Sequence, residues 1–183
     1  NRSPRRKGVG HADSLARPRF DKPVAVKAAP RLARVTVSML SPPCRPVAVN
    51  SDEFFAGRKV VLFALPGAFT RTCSAQHVPG FVNNADEIKA KGVDEIACLA
   101  SNDAFVLQAW SVSEKADNIT MLSDGDLSFV DATGLELDLT GRGLGKRANR
   151  FAMIVDNGKV THLAVEEPGV FEVSSAEAVL EKL

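Results

Sequence analysis

The sequence predicts one α/β domain whose central mixed β-sheet is flanked by helices, and three features of the chain carry this prediction. Three short apolar runs have the length and composition of buried strands: residues 60–65, 93–100 and 119–123. Segments with helical character follow the first two runs, which is the alternation of an α/β protein. Near the C-terminus, Asn157-Gly158 joins two more apolar runs and predicts a β-hairpin.

The N-terminal part of the chain differs in charge from the rest. Residues 1–40 contain ten Lys and Arg residues and two Asp residues, whereas residues 41–183 contain thirteen basic and twenty acidic residues. Prolines interrupt any helical period up to residue 46. We therefore predict a folded domain at 47–183 preceded by a basic arm at 1–46, typical of an organelle transit peptide, that is disordered except for a brief extended piece at 34–38. A basic tail that binds nucleic acid is the alternative, but no aromatic interleaving accompanies the charge.

The first half of the domain is organised around its first buried strand. The expected elements, in order, are a strand at 47–50, a helical turn at 51–55, the central strand at 60–65, a helix at 76–90 and a strand at 93–100. Ser51 is the expected cap of the helical turn. Pro66-Gly67 ends the central strand and turns the chain. Pro79 is expected to bend the helix that follows or to split its first turns from the rest.

The second half of the domain alternates in the same way and ends in a hairpin and a helix. The expected elements are a helix ending at 112, a strand at 119–123, a short helix at 127–133, an extended piece at 135–139, strands at 151–155 and 159–165, and a helix at 176–183. Residues 101–103 cap the first of these helices, and Ser174 or Ser175 caps the last. The glycine-rich basic segment 141–150 lacks the Gly-Lys-Ser/Thr of a phosphate loop, so we interpret it as a mobile loop that leads to Arg150.

Cys73 stands at the start of the helix that follows the central strand. Thr70 and Thr72 are suitable N-cap residues, so Cys73 falls in the first helical turn. The unpaired N–H groups and the positive end of the helix dipole in that turn favour a thiolate, which is the nucleophilic form of cysteine. The alternative is that Cys73 is a small buried apolar residue, as free cysteines often are.

The residues around Cys73 form a longer motif. Pro66-x-x-x-Thr70-x-x-Cys73 matches the peroxiredoxin signature, and the run continues as Ser74-x-x-His77-Val78-Pro79-Gly80-Phe81. From residue 47 onward the chain resembles the type II peroxiredoxins of plants, most of all their chloroplastic form, although Arg71 stands where that branch usually has proline. The resemblance implies a thioredoxin-like fold. The hairpin with which that branch normally begins is not found in the sequence.

The resemblance also implies a thiol peroxidase. Cys73 would attack hydrogen peroxide or an alkyl hydroperoxide and become a sulfenic acid. Thr70 and Arg150 would complete the catalytic set, because a fixed hydroxyl and guanidinium can stabilise charge on the breaking O–O bond. Arg147 is the nearest alternative to Arg150. The substrate-binding segment would consist of Pro66, Gly67 and Phe69.

The oxidised thiol must then be reduced by a second thiol. Plant members of the branch use glutathione or glutaredoxin, and we favour this external route. Cys98, 25 residues after Cys73, matches the second cysteine of the plant proteins and is a possible resolving residue. A Cys73–Cys98 disulfide would make the protein a thioredoxin-dependent peroxidase, and a redox sensor without turnover is a third hypothesis. The resemblance further implies a homodimer and, with the basic arm, the chloroplast stroma, with the mitochondrion as second choice.

Other patterns exclude several classes of protein. The three cysteines (Cys44, Cys73 and Cys98) form no zinc pattern, no disulfide framework and no Cys-x-x-Cys. The three histidines lack metal-ligand spacing, and we interpret each, including His77, as a surface or packing residue. No apolar run approaches the ~20 residues of a membrane span. With a net charge of +1, no overall electrostatic field attracts nucleic acid. From these patterns together we expect no metal or other cofactor, no membrane and no nucleic acid.

Overall fold

The computed structural model describes residues 35–41 and 45–183. The strands are β1 (Thr36–Ser41), β2 (Arg45–Asn50), β3 (Lys59–Ala64), β4 (Glu95–Ala100), β5 (Thr120–Ser123), β6 (Glu136–Leu139), β7 (Gly145–Ala148), β8 (Phe151–Asp156) and β9 (Lys159–Val165). The helices are α1 (Ser51–Phe55), α2 (Val78–Asn83), α3 (Ala85–Ala90), α4 (Ala104–Glu114), α5 (Ser128–Thr133) and α6 (Ala176–Leu180). A π-helical segment, Cys73–His77, precedes α2, and a 3₁₀ turn, Thr140–Arg142, follows β6.

Seven of these strands form one sheet in the order β2-β1-β5-β4-β3-β8-β9. Strands β3, β4 and β5 are parallel. Helices form the connections between them, since parallel strands need a crossover to the other end of the sheet. Strands β8 and β9 continue the sheet beyond β3 in antiparallel pairing, and β1 and β2 do so beyond β5. The predicted mixed sheet with flanking helices is confirmed.

The central strands are buried on both faces, which explains why their sequences are continuous apolar runs. Along β3, Val61 and Phe63 face one apolar core, while Val60 and Leu62 face the other. The first core is covered by the π-helical segment and by α2, α3, α4 and α6, and the second by α1 and α5. No helix in the described ranges is long and apolar enough to cross a membrane.

The N-terminal edge of the sheet differs from the prediction. Strands β1 and β2 form an antiparallel hairpin, whereas we expected a disordered arm up to residue 46, with only a brief extended piece at 34–38, and no such hairpin. Pro46 lies opposite Leu40 in β2, which is the edge strand, and a proline is tolerated there because an edge strand has a side that needs no ladder hydrogen bond. The folded domain therefore begins before residue 47. Residues 1–34 and 42–44 of the predicted arm lie outside the described residues.

The segment that we interpreted as a mobile loop contains a second hairpin. Strands β6 and β7 pair antiparallel, with Leu137 opposite Arg147. The backbone N–H of Asn149 then donates to the carbonyl of Leu135 at 2.8 Å. This hairpin ends directly before β8, so it fixes the backbone that leads to Arg150.

The predicted helix at 76–90 is divided into three pieces. The first division, between the π-helical segment and α2, falls at Val78 beside Pro79, in agreement with the expectation that this proline splits the first turns from the rest. The break between α2 and α3 falls at Asn84, whose side chain donates to the carbonyl of Gly80 at 2.8 Å. In α1, the capping side chain is Asn50 and not Ser51.

Three of the predicted local signals are confirmed. Asp103 caps α4 by accepting from the backbone N–H groups of Phe105 and Val106, both at 2.9 Å. Ser175 caps α6. Asn157-Gly158 forms the β8–β9 turn with positive φ angles of 49° and 77°, which asparagine and glycine adopt most readily.

Candidate active site

Cys73 is fully buried where the chain leaves β3 and begins the π-helical segment. The turn between them is held from a neighbouring loop, because the backbone N–H of Ala68 donates to Oδ1 of Asn102 at 2.8 Å. The first helical hydrogen bond joins the N–H of Ser74 to the carbonyl of Thr70 at 3.0 Å. Single π-helical turns occur frequently at functional sites, so this local geometry agrees with a reactive residue.

The Thr70 hydroxyl contacts the sulfur directly. Its Oγ1 lies 2.8 Å from Sγ of Cys73 and 2.8 Å from the carbonyl oxygen of Gly67. A hydroxyl carries one hydrogen, so Thr70 can donate to the carbonyl while the thiol is protonated and turn to the sulfur when it ionises. Thr72 occupies the N-cap position of the π-helical segment as expected, but its side chain makes no capping hydrogen bond, and the Thr70 hydroxyl donates to the Gly67 carbonyl instead of capping.

Arg150 approaches the same sulfur from the neighbouring strand. Strands β3 and β8 are adjacent and antiparallel, with Ala64 opposite Phe151, so the end of β3 and the start of β8 meet at one edge of the sheet. There Nη2 of Arg150 lies 3.4 Å from Sγ of Cys73. The guanidinium carbon also lies 5.6 Å from the centre of the Phe171 ring, within cation–π range.

His77 holds the other side of the guanidinium. Its Nδ1 lies 2.9 Å from Nη1 of Arg150, and its Nε2 lies 3.0 Å from the carbonyl oxygen of Ser174. A carbonyl can only accept, so Nε2 carries the hydrogen and Nδ1 accepts from Arg150. The ring is fully buried among aromatic side chains, with ring centres at 5.0 Å from Phe63 and 4.9 Å from Phe171.

Burial keeps the His77 imidazole neutral. Burial is the main cause that lowers the pKa of His77 to about 3, and the Arg150 guanidinium adds to it, while the hydrogen bond to Ser174 acts in the opposite direction. A neutral ring at physiological pH can accept a hydrogen bond, whereas an imidazolium could only donate. The interpretation of His77 as a packing residue was therefore incomplete. Its position four residues after Cys73, one helical turn away, is the signal that could have revealed it.

A cavity of about 420 Å³ opens beside this cluster. Pro66, Thr72 and Arg150 are among the residues that line this cavity, together with Leu139 and Val170. The lining also includes charged side chains of both signs: Asp138, Arg142 and Glu167. A volume in this range suits a small organic ligand.

The other two predicted substrate-binding residues differ in position. Gly67 lies in the turn before Cys73, where an added Cβ would sit 3.4 Å from Nη1 of Arg147, an ordinary van der Waals distance. Phe69 is 57% exposed, adopts a positive φ of 59°, and is not among the residues that line the cavity. The side chain of Arg147, the alternative to Arg150, is held by the turn between β6 and β7, because its Nε donates to the carbonyl of Leu144 at 2.7 Å.

Cys98 lies in β4, directly beside β3, and its side chain shares the first apolar core with Cys73. It is fully buried. Burial raises the pKa of the Cys98 thiol well above its ordinary value, the charge of Cys73 acts in the same direction, and Arg150 acts against them. Within residues 35–41 and 45–183, no group of three or more His, Cys, Asp or Glu residues could hold a metal ion.

Known proteins are similar to this chain in both sequence and architecture. The Redoxin family model matches residues 32–180. The chain is 53% identical to Peroxiredoxin-2C of Oryza sativa subsp. japonica over 136 residues. The aligned region covers 74% of this chain and 84% of that protein. It is 46% identical to the chloroplastic Peroxiredoxin-2E of Arabidopsis thaliana over 157 residues, and this alignment covers 84% of this chain and 67% of that protein.

Solved structures agree with these relatives. Reduced Prx3 from Vibrio vulnificus in complex with H2O2 superposes with a TM-score of 0.80 at 53% sequence identity, over 83% of this chain and 95% of that chain. The predicted thioredoxin-like fold is thereby confirmed. With a buried thiol beside a hydroxyl and a guanidinium, the chain belongs to the redoxin family and, within it, to the type II peroxiredoxins, which are thiol peroxidases.

Proposed function

We propose that Cys73 is the residue that reduces the peroxide, with Arg150 and Thr70 as its catalytic partners. The observation that carries this proposal is the convergence of the Thr70 hydroxyl and the Arg150 guanidinium on one sulfur, at 2.8 Å and 3.4 Å. The thiolate sulfur attacks one peroxide oxygen, the O–O bond breaks, and the second oxygen leaves as hydroxide or alkoxide and takes up a proton. Sulfur is oxidised to a sulfenic acid, and the peroxide is reduced to water or an alcohol.

Arg150 has the larger share in this step. The leaving oxygen gains negative charge as the O–O bond breaks, and a fixed donor aimed at developing charge lowers the barrier most. The guanidinium is permanently charged and offers two arms. One arm is held by His77 at 2.9 Å, which leaves the other to contact the sulfur and the bound peroxide. Pro66 lines the cavity beside Arg150, which supports a place for it, with Gly67 in the same turn, in the substrate-binding segment.

We further propose that an external thiol, glutathione or glutaredoxin, regenerates Cys73. The thiol attacks the sulfenic sulfur and releases water, and a second thiol then displaces Cys73 from the mixed disulfide. Two observations support this route over resolution by Cys98. Burial raises the pKa of the Cys98 thiol and keeps it protonated, and a protonated thiol is a poor nucleophile toward the sulfenic acid of Cys73. The cavity is lined by Arg150, whose guanidinium lies 3.4 Å from Sγ of Cys73, and it carries charges of both signs, which suits a peptide thiol.

The reductant is tested with a Cys98→Ser variant in steady-state peroxide consumption, with glutaredoxin plus glutathione and thioredoxin offered separately. We expect turnover with glutaredoxin to stay within about twofold of wild type, because Cys98 takes no part in the cycle. Cys98→Ala is assayed alongside, since a buried serine hydroxyl without a partner destabilises the core. If both variants are inactive but folded, Cys98 is the resolving residue and thioredoxin the expected reductant.

The assembly and the compartment are also proposals. Phe69 projects from the active-site turn beside Trp110 of α4, and Phe105 on the same helix is equally exposed, at 57%. Exposed aromatic side chains of this kind support a homodimer formed next to the active site.

The basic residues 1–40 and the likeness to a chloroplastic relative support the chloroplast stroma, with the mitochondrion as second choice.

A further inference from the structure

The segment between β9 and α6 supplies two contacts to the Arg150–His77 pair, although it contains no helix or strand. The carbonyl of Ser174 accepts from Nε2 of His77 at 3.0 Å. The Phe171 ring lies against His77, with ring centres 4.9 Å apart, and 5.6 Å from the guanidinium carbon of Arg150. The conformation of this segment therefore sets the position of the groups that hold the guanidinium.

One buried carboxylate organises this segment. Glu166 is only 3% exposed, and its Oε1 accepts from the backbone N–H of Glu172 at 2.7 Å. The same oxygen accepts from both the backbone N–H and the hydroxyl of Ser174, each at 2.8 Å. Burying a carboxylate is costly unless it receives hydrogen bonds, and these donors come entirely from the segment that it holds.

Glu166 is tied to Arg150 through the backbone as well. Its own N–H donates to the carbonyl of Arg150 at 2.9 Å, where β8 and β9 begin to pair. The hydrogen bonds thus form a closed circuit that runs from Arg150 through His77, Ser174 and Glu166 and back to Arg150. A closed circuit leaves each member little freedom to move on its own.

We propose that Glu166 is a positioning residue for Arg150, acting through Ser174 and His77 without touching the thiol or the peroxide. Glu166 fixes the Ser174 carbonyl, and this carbonyl selects the His77 tautomer with hydrogen on Nε2. The lone pair on Nδ1 then receives Nη1 of Arg150, and Nη2 is directed to the sulfur. This inference rests on the proposed role of Arg150 in the peroxide step.

The His77 tautomer explains why a remote carboxylate matters. If the Ser174 carbonyl moved away, the ring could carry its hydrogen on Nδ1 instead. Two donors, Nδ1–H and the guanidinium N–H, would then face each other with no acceptor between them. The guanidinium would therefore move away from the His77 ring. A displacement on the order of 1 Å of a group that acts in the transition state costs up to about a hundredfold in rate.

The test compares three substitutions of Glu166 by stopped-flow oxidation with hydrogen peroxide. The single tryptophan, Trp110, reports on Cys73, because its Nε1 donates to Oγ of the adjacent Ser74 at 2.8 Å. We expect Glu166→Gln to stay within about threefold of wild type, since its amide oxygen reaches the same donors. Glu166→Asp keeps the charge but is one methylene shorter, and we expect an intermediate rate. Glu166→Ala should be at least about tenfold slower per folded molecule.

A purely structural role is excluded by two further readouts. In a double-mutant cycle, Glu166→Ala should cause no further loss in an Arg150→Ala background, because both changes remove the same interaction. The ¹⁵N spectrum of the His77 ring should show Nε2 protonated in wild type and a tautomer mixture in Glu166→Asp. Glu181→Ala, which removes an exposed carboxylate from the end of α6, is the control and should leave the rate and the spectrum unchanged.

Three outcomes would overturn the inference: a wild-type rate in folded Glu166→Ala, a further loss in the Arg150→Ala background, or an unchanged His77 tautomer in Glu166→Asp. If Glu166→Ala does not fold, the shorter Glu166→Asp decides the question by the same criteria. An Arg150→Ala variant that reacts at the wild-type rate would instead contradict the proposed function itself. The two failures are therefore distinguishable.

Discussion

Replacement of Arg150 by alanine is expected to slow the reaction of Cys73 with hydrogen peroxide at least about a hundredfold, a barrier increase of roughly 3 kcal/mol. The substitution removes the only guanidinium that reaches the sulfur within the described ranges, at 3.4 Å. It also removes the charge best placed to stabilise the leaving oxygen. The measurement is the second-order rate constant for oxidation under single-turnover conditions, which separates the peroxide step from the recycling step.

Two further substitutions make the Arg150 result specific. Arg150→Lys keeps a positive charge but loses the planar fork, so its rate should fall between those of wild type and Arg150→Ala. Arg147→Ala removes a nearby guanidinium that is bonded to the Leu144 carbonyl, and it should change the rate by less than about threefold. Equal losses of rate for Arg147→Ala and Arg150→Ala would mean that the reaction depends on the positive charge around the site and not on a hydrogen bond from the Arg150 guanidinium.

Replacement of Thr70 by valine is expected to slow peroxide reduction by about a hundredfold, in the range found when one donor is removed from a reacting centre. Valine has nearly the same shape as threonine but no hydroxyl, so the turn keeps its packing. The sulfur loses its 2.8 Å partner, and the Gly67 carbonyl loses the same donor. The rate is measured as for Arg150, with circular dichroism to confirm that the variant is folded.

Thr70→Ser is the matched control for Thr70→Val. Serine retains the hydroxyl and loses one methyl group, so it should react within about fivefold of wild type if the hydroxyl is what matters. If serine and valine slow the reaction equally, Thr70 acts through its methyl packing and has no role as a hydrogen-bond partner of Cys73.

The parts of the fold that follow from local chemistry could be read from the sequence. The strand at 60–65 is apolar without interruption because β3 is buried on both faces, and a short run bounded by turn residues is typical of such a strand. The Asp103 cap and the Asn157-Gly158 turn depend on side chains within a few residues. Cys73, Thr70 and Arg150 were assigned from the motif and its family resemblance, and the structure brings all three together.

The parts that depend on distant contacts could not be predicted. Pro46 argues against a helix, but nothing local reveals that its strand lies at a sheet edge where a proline is tolerated. The π-helical geometry that removes Thr70 from its expected capping role also has no local signal. The contacts of His77 come from Arg150 and Ser174, far along the chain, and burial keeps its ring neutral. Glu166 reaches Ser174 only because the segment after β9 folds back on it.

The most direct test of the central claim is to identify which cysteine hydrogen peroxide oxidises first. The protein is treated with about one equivalent of peroxide in the presence of a 1,3-dicarbonyl reagent that traps sulfenic acids. Mass spectrometry of the peptides then locates the adduct among the three cysteines. We predict an adduct on Cys73, with Cys44 and Cys98 unmodified. An adduct on Cys44 or Cys98 while Cys73 remains a free thiol would contradict the account.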